Sequence, residues 1–272
     1  MKTICIKLGG SVITNKKVKN FPIKLELIRK RAVDYIRIKI IQRVVRNEIL
    51  PFVNKNRVKL IIGLGVGPFG HHLIKRISEL DDIKDVHQSV LLYSQIVSKE
   101  MNNEGLVTEL ISPFDTCYYE DDFNINNLLK TAKSIIDKGR VPLFFGDIIP
   151  TRNVIGKFGN YEILSADKSI CDVALKFQAE KVIMVTDVDG LYTKNPKIHR
   201  DAKLINQVRS DENLVIPQEG MEIDVTGRIF SKIENLQRIT KEGIKGQIIN
   251  GLREGNLLYA LNNKDIGTVF VK

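Results

Sequence analysis

The sequence predicts an α/β fold, a three-layer αβα sandwich with a mostly parallel central sheet. Three observations predict it. Seven short apolar runs recur along the 272 residues, helical patterns separate them, and the runs are apolar enough to be buried on both faces. The runs fall at 3–8 (TICIKL), 58–64 (VKLIIGL), 107–111 (VTELI), 141–146 (VPLFFG), 181–186 (KVIMVT), 246–250 (GQIIN) and 267–271 (GTVFV). Helical patterns lie near 24–50, 71–80, 87–104, 125–138, 166–178, 228–241 and 254–262.

In chain order, the opening MKTICIKLGG meets a lysine and two glycines too soon for a signal-peptide core, and reads as a buried first strand. The next segment, 24–48, repeats Ile28, Ile36, Ile40 and Val44 near helical spacing, with Arg29, Arg37, Arg43 and Arg46 among them. It predicts one long amphipathic helix with a solvated basic face. Gly, Pro and Asn over 146–167 predict a hairpin that divides an N-lobe of about 1–147 from a C-lobe of about 148–272, within a single domain.

Composition narrows the class. Hydrophobic residues make up 43% and charged residues 27%, as in ordinary globular chains. No run approaches a membrane span. Cys5, Cys117 and Cys171 form no C-x-x-C pair, which argues against a disulfide framework or zinc site and fits a reducing cytoplasm. The net charge of +10 attracts anions, phosphorylated small molecules among them. A nucleic-acid binder ranks last, because there is no recognisable module and only 7% aromatic residues for stacking.

The stretch GVGPFGHH, 65–72, has dinucleotide-turn spacing after a strand and before a helix. No second strand ending in an acid follows at the required distance, and Pro68 has no N–H to give a phosphate. A Rossmann cofactor site is therefore not predicted. The remaining readings are an anion cradle at a helix N-terminus or a turn that needs glycine for steric reasons.

A second glycine turn is the stronger signal. Lys7 closes the first strand, Gly9, Gly10 and Ser11 form the turn, and Lys16 follows. Backbone amides there can approach a phosphate chain, and the lysines can neutralise charge during phosphoryl transfer. Walker A spacing is absent, so this is not a P-loop protein. Asp167 falls near a helix start, where it is either a cap or a site carboxylate. Asp187 and Asp189 follow a central strand, where α/β folds bind ligands, although Asp189-Gly190 also reads as a simple turn. A polar turn from Asp224 to Gly227 precedes a helix with Lys232, which alone would read as a surface lysine.

Together KLGGS (7–11), GD (146–147), SAD (165–167), TDVDGLYTKNPK (186–197) and DVTG…K (224–232) resemble the amino acid kinase superfamily, in order and over nearly the whole chain. Within it, KLGGSVITNK, FGH (69–71) and IDVTG are most similar to isopentenyl phosphate kinases and the related fosfomycin kinases. The resemblance implies an ATP-dependent kinase with Mg²⁺ as companion, a small phosphorylated acceptor and a homodimer. Lys7, Lys16, His71, Asp167 and Lys232 would be catalytic, with Asp167 orienting lysines rather than acting as a base. The nucleotide would meet Gly9, Gly10, Ser11, Gly67, Asp187, Asp189, Tyr192, Lys197, Gly227 and Lys232. The acceptor would meet Gly65, Val66, Gly67, His71, Gly146, Asp147 and Ala166. His72 and His87 would be bystanders.

The chain departs from the family pattern at three places. H-G-G-G reads Leu64-Gly65-Val66-Gly67, S-G-D-D reads Ser165-Ala166-Asp167-Lys168, and T-G-G reads Thr226-Gly227-Arg228. Val66 is expected to narrow the loop. The leading expectation is a kinase converting isopentenyl phosphate to the diphosphate. A kinase of another phosphate or phosphonate, or a non-catalytic nucleotide binder, stands beside it.

Overall fold

The computed structural model describes residues 1–15, 21–79, 82–196, 198–214 and 223–272, without the side chains of 79 and 223–228. Eight strands form one sheet. In spatial order they are β12 (Gln207–Arg209), β14 (Thr268–Val271), β13 (Lys245–Asn250), β9 (Lys181–Thr186), β1 (Lys2–Leu8), β2 (Val58–Leu64), β6 (Val141–Phe145) and β3 (Thr108–Leu110). Every neighbouring pair is parallel except β13–β14. All seven predicted strands lie in this sheet. The eighth, β12, was not predicted, because three residues reading Gln-Val-Arg at a sheet edge carry almost no apolar signal. Three two-stranded ribbons flank the sheet: β4 (Tyr118–Tyr119) with β5 (Phe123–Asn124), β7 (Asp147–Pro150) with β8 (Tyr161–Leu164), and β10 (Leu191–Tyr192) with β11 (Leu204–Ile205). The β7–β8 pair is the predicted hairpin.

Successive strand residues face opposite sides, so the sheet feeds two cores. Ile4, Ile6, Leu60, Ile62 and Leu143 face one; Cys5, Ile61, Phe144, Val182 and Met184 face the other. Over the first core lie α2 (Leu25–Arg31), α3 (Ile38–Arg43), α4 (Leu50–Val53), α5 (Pro68–Lys75), α6 (Lys84–Asn103) and α11 (Asn256–Leu261). The second is covered by α8 (Asn126–Asp137), α9 (Ala166–Lys176) and α10 (Ile223–Lys241). Two single turns, α1 (Gly10–Ile13) and α7 (Pro113–Thr116), follow β1 and β3. This is the αβα sandwich predicted from the sequence. Among the described residues no helix is long and apolar enough to cross a membrane. All three cysteines are buried thiols, and burial pushes Cys117 up to about 12.

The single basic helix expected over 24–50 is interrupted. Residues 32–35 tighten into a 3₁₀ turn, and Ile36 then pairs with Thr14 across an antiparallel bridge. The Asn15 N–H donates to Tyr35 O (2.8 Å) and the Arg37 N–H to Ile13 O (2.9 Å). These long-range bonds hold the chain extended where local spacing favours helix. Further on, Pro51 lacks the N–H an α-helix needs and its ring crowds the preceding turn, and Val44–Ile49 widen into a π turn before α4. Nor is the basic face wholly solvated: Arg46 pairs with Glu104 (2.7 Å) and Arg43 with the buried Glu48 (3.2 Å).

Candidate active site

Parallel pairing in the register Leu8↔Leu64 ends β1 and β2 at the same level. Both chains then turn through glycines. The Gly9 N–H donates to Val185 O (2.8 Å) and the Gly65 N–H to Leu8 O (2.8 Å), so each turn is stitched to its neighbour strand. A Cβ on Gly10 would stand 2.4 Å from Gly67 N, and one on Gly65 would stand 2.6 Å from Gly10 N. The two turns touch, backbone to backbone, side by side on adjacent strands. The in-register β1–β2 pairing places them there. Gly67 has φ +52°, and a Cβ there would also meet Thr14 Oγ1 at 2.3 Å. A Gly10→Ala substitution is therefore expected to force the turns apart and to abolish turnover while Gly139→Ala, whose Cβ meets open space at φ +71°, retains it. Activity in the Gly10→Ala variant comparable to wild type would count against the interlocked geometry.

Val66 does not narrow the loop. It is absent from the residues with positive φ, the residue is 7% exposed, and its side chain packs in the core beside Gly70. The middle position thus needs no glycine, because its backbone lies in ordinary space and its side chain points inward. Pro68 opens α5, where a missing N–H costs nothing. His71 lies in the first turn of α5, exposed, with its N–H donating to Gly67 O (3.1 Å).

Alternation along β1 puts Lys7 on the same face as Cys5, toward α9. Ser165 caps α9 by accepting from the Lys168 N–H (3.1 Å), so Asp167 is not the cap. Asp167 instead receives two ammonium groups, Lys7 Nζ on Oδ1 (2.8 Å) and Lys232 Nζ on Oδ2 (2.7 Å), both largely enclosed. The trio carries two positive charges and one negative. Burial alone would raise the Asp167 carboxyl, but the charges and hydrogen bonds of Lys232 and Lys7 outweigh it and hold the group well below the usual carboxylate range. Lys7 Nζ also lies 3.1 Å from where a Gly65 Cβ would stand, which brings the surplus charge to the Gly65–Gly67 turn.

Gly146 and Ala166 border the same strand ends: the Gly146 N–H donates to Leu64 O (3.2 Å), and a Cβ there would meet Ala166 N at 3.1 Å. Asp147 departs from its expected role. Its carboxylate is fully enclosed and binds His87 Nδ1 (2.8 Å), the histidine read as a bystander, rather than being presented to a ligand. Burial pushes Asp147 up to about 6, against the hydrogen bond and charge of His87. Asp189 is engaged by Asn250 Nδ2 (2.9 Å), Arg253 (2.7 Å) and the Tyr192 hydroxyl (3.3 Å), which ties the turn after β9 to the end of β13. Asp187 precedes it at the exit of β9. Ser11 is the second residue of α1 and half-buried. Gly227 falls inside α10, not in a turn. Lys16 and Lys197 lie outside the described residues. A cavity of about 940 Å³ lies elsewhere, between residues 122–126 and the helices α9 and α10, and none of the glycine-turn residues lines it.

Sequence profiles settle the family: that of the amino acid kinase family matches residues 2–250. The chain belongs to the amino acid kinase family. It is a small-molecule kinase. This kinase is 28% identical over 276 residues to the isopentenyl phosphate kinase of Methanothermobacter thermautotrophicus, covering 97% of this chain and 96% of that one. It is also 28% identical over 285 residues to the glutamate 5-kinase of Streptococcus uberis, covering 100% and 96%. Among solved structures, an isopentenyl phosphate kinase superposes with a TM-score of 0.74 at 23% identity, over 99% of this chain and 100% of that one.

Proposed function

We propose that this kinase phosphorylates a small phosphorylated acceptor at the expense of ATP, and that the acceptor is isopentenyl phosphate. The observation that carries the reading is the contact between the two glycine turns beside Lys7. Joining two polyanions is chiefly a problem of repulsion and positioning. Turns that touch can hold two phosphates in line, and a lysine pair with one shared carboxylate supplies the surplus charge.

The residues fit the nucleotide's phosphates. Gly9 and Gly10 form a turn in which added side chains would strike backbone at 2.5 and 2.4 Å; the Gly9 N–H is engaged by Val185 O, so the amides offered to an anion are those of Gly10 and Ser11 in the first turn of α1. Lys7 and Lys232 face that turn's strand end through Asp167. The nucleotide supplies the phosphoryl group, with Mg²⁺ held mainly by phosphates and water. Gly65, Val66, Gly67 and His71 take the acceptor phosphate, whose second pKa of about 6 leaves it largely ionised at neutral pH without a strong protein base. The acceptor thus lies on the β2, β6 and α5 side, the nucleotide on the β9 and β13 side.

Support for isopentenyl phosphate comes from His71, which follows Phe69-Gly70, and from a relative of that name matched along nearly its whole length. Leu73 and Val90, residues that could have bounded a greasy tail, are in the core; Ile74 and Leu91 are half-buried against it. A panel of isopentenyl phosphate, UMP, fosfomycin and glutamate, each with ATP and coupled ADP detection, tests the reading. Isopentenyl phosphate is expected to give the highest kcat/KM, and a higher value for any other acceptor overturns the assignment. His71→Ala is expected to raise the KM for isopentenyl phosphate by roughly ten- to a hundredfold, the worth of a charged hydrogen bond, with a smaller change in kcat. A wild-type KM would remove His71 from the acceptor site.

A further inference from the structure

Helix α6 carries three inward residues at a spacing of three, His87, Val90 and Tyr93, and each reaches a different part of the acceptor side. Tyr93 is fully buried, and its hydroxyl donates to Gly65 O at 2.9 Å. Its ring also stacks on Phe69 of α5, with centroids 4.9 Å apart. Val90 closes on Gly70, where a Cβ would come within 3.2 Å of Val90 Cγ1. His87 Nδ1 binds the enclosed carboxylate of Asp147 at 2.8 Å, and its ring stacks on Phe114 at 4.3 Å. Asp147 Oδ1 accepts from the Ile148 N–H (2.9 Å), so its carboxylate fixes the backbone that follows Gly146.

One helix therefore grips both backbone turns at the ends of β2 and β6. For stability alone, a buried imidazole–carboxylate pair is a poor choice, since desolvation offsets much of its attraction and apolar residues of similar size would serve as well. What it supplies is direction: a fixed distance between α6 and the turn after β6. The Tyr93 hydroxyl does the same for the Gly65 carbonyl. We propose that α6 is the brace of the acceptor side, with Tyr93 and the His87–Asp147 pair as positioning residues that set acceptor affinity without touching the acceptor. The kinetic half of the test rests on the isopentenyl phosphate reading; the other half does not.

Tyr93→Phe, His87→Ala and His87→Asn test it in the full-length enzyme. Asparagine places an amide near the position of Nδ1 and is the conservative variant. Hydrogen exchange by mass spectrometry is expected to show faster exchange at 64–70 in Tyr93→Phe and at 145–148 in His87→Ala. The peptide over 9–13 should be unchanged, and His87→Asn should stay near wild type. The KM for isopentenyl phosphate is expected to rise about three- to tenfold in Tyr93→Phe and His87→Ala, the worth of one buried hydrogen bond, with kcat and the KM for ATP within about twofold. A merely structural role predicts lower melting temperature with no selective change in acceptor KM, and that result overturns the proposal. So does unchanged exchange at 64–70 in Tyr93→Phe, a variant that deletes a single oxygen and decides the matter if His87→Ala fails to fold. If the wild type does not turn over isopentenyl phosphate, the acceptor assignment falls, and the exchange pattern alone then supports or overturns the brace.

Discussion

Replacing Lys7 with methionine is expected to lower kcat by roughly two to three orders of magnitude, the usual loss when one preorganised charge at a reacting centre is removed. Methionine keeps the stem that β1 packs against α9, so the change isolates the ammonium. That ammonium is 2.8 Å from Asp167 and beside Gly65, between the turn assigned to the nucleotide and the turn assigned to the acceptor. A charge so placed helps most when negative charge spreads over the transferring group, and least when either ligand sits alone. Both KM values are therefore expected to move by less than about tenfold while kcat collapses. Pre-steady-state measurement of ADP release checks this directly. A variant that keeps kcat and loses only affinity would place Lys7 in ground-state binding and would reassign the main electrostatic role to Lys232.

Much of this arrangement was legible in the sequence because it is local. Lys7, Gly9, Gly10 and Ser11 are nearly consecutive, and a strand running into glycines announces its own turn. Gly65 to His71 read the same way. What the sequence could not give was the contact between the two turns, which depends on β1 and β2 being neighbours in register. The link from Asp167 to Lys232 spans 65 residues, and only the family resemblance suggested that Asp167 orients lysines. Val66 shows the limit of reasoning by motif: its side chain was expected in the loop and lies in the core. His87 and Tyr93 were missed although a signal existed. Both sit on the face of α6 that also carries Val86, Val90 and Val97, and polar groups on a buried helical face must find partners. The break at 32–37 had no such signal, because the bonds that cause it come from residues 13–15.

Asp167→Asn is expected to be the most damaging single substitution for stability. The aspartate compensates two enclosed ammonium groups, and removing one partner of a buried ionic cluster typically costs about 3–5 kcal/mol. For a domain of this size that is a fall in melting temperature of roughly 6–20 °C. The pH dependence follows from the sign of the shift. The folded-state carboxyl is held below its ordinary value of 3.8, so its stabilising contribution is complete above that pH and is lost as pH falls through the lower folded value. The gap between wild type and Asp167→Asn should thus be constant from pH 8 to about pH 5 and shrink only in stronger acid. Anions should act in the opposite direction from the mutation. With no carboxylate between them, Lys7 and Lys232 gain from a bound polyanion, so ATP should raise the variant's melting temperature by more than it raises that of the wild type. Turnover should nonetheless fall, because the lysines then have nothing to fix their positions and collapse onto the ground-state phosphates. Thermal melts with and without ATP across that pH range distinguish this account from simple loss of packing, which would leave the ATP-induced shift the same in both proteins.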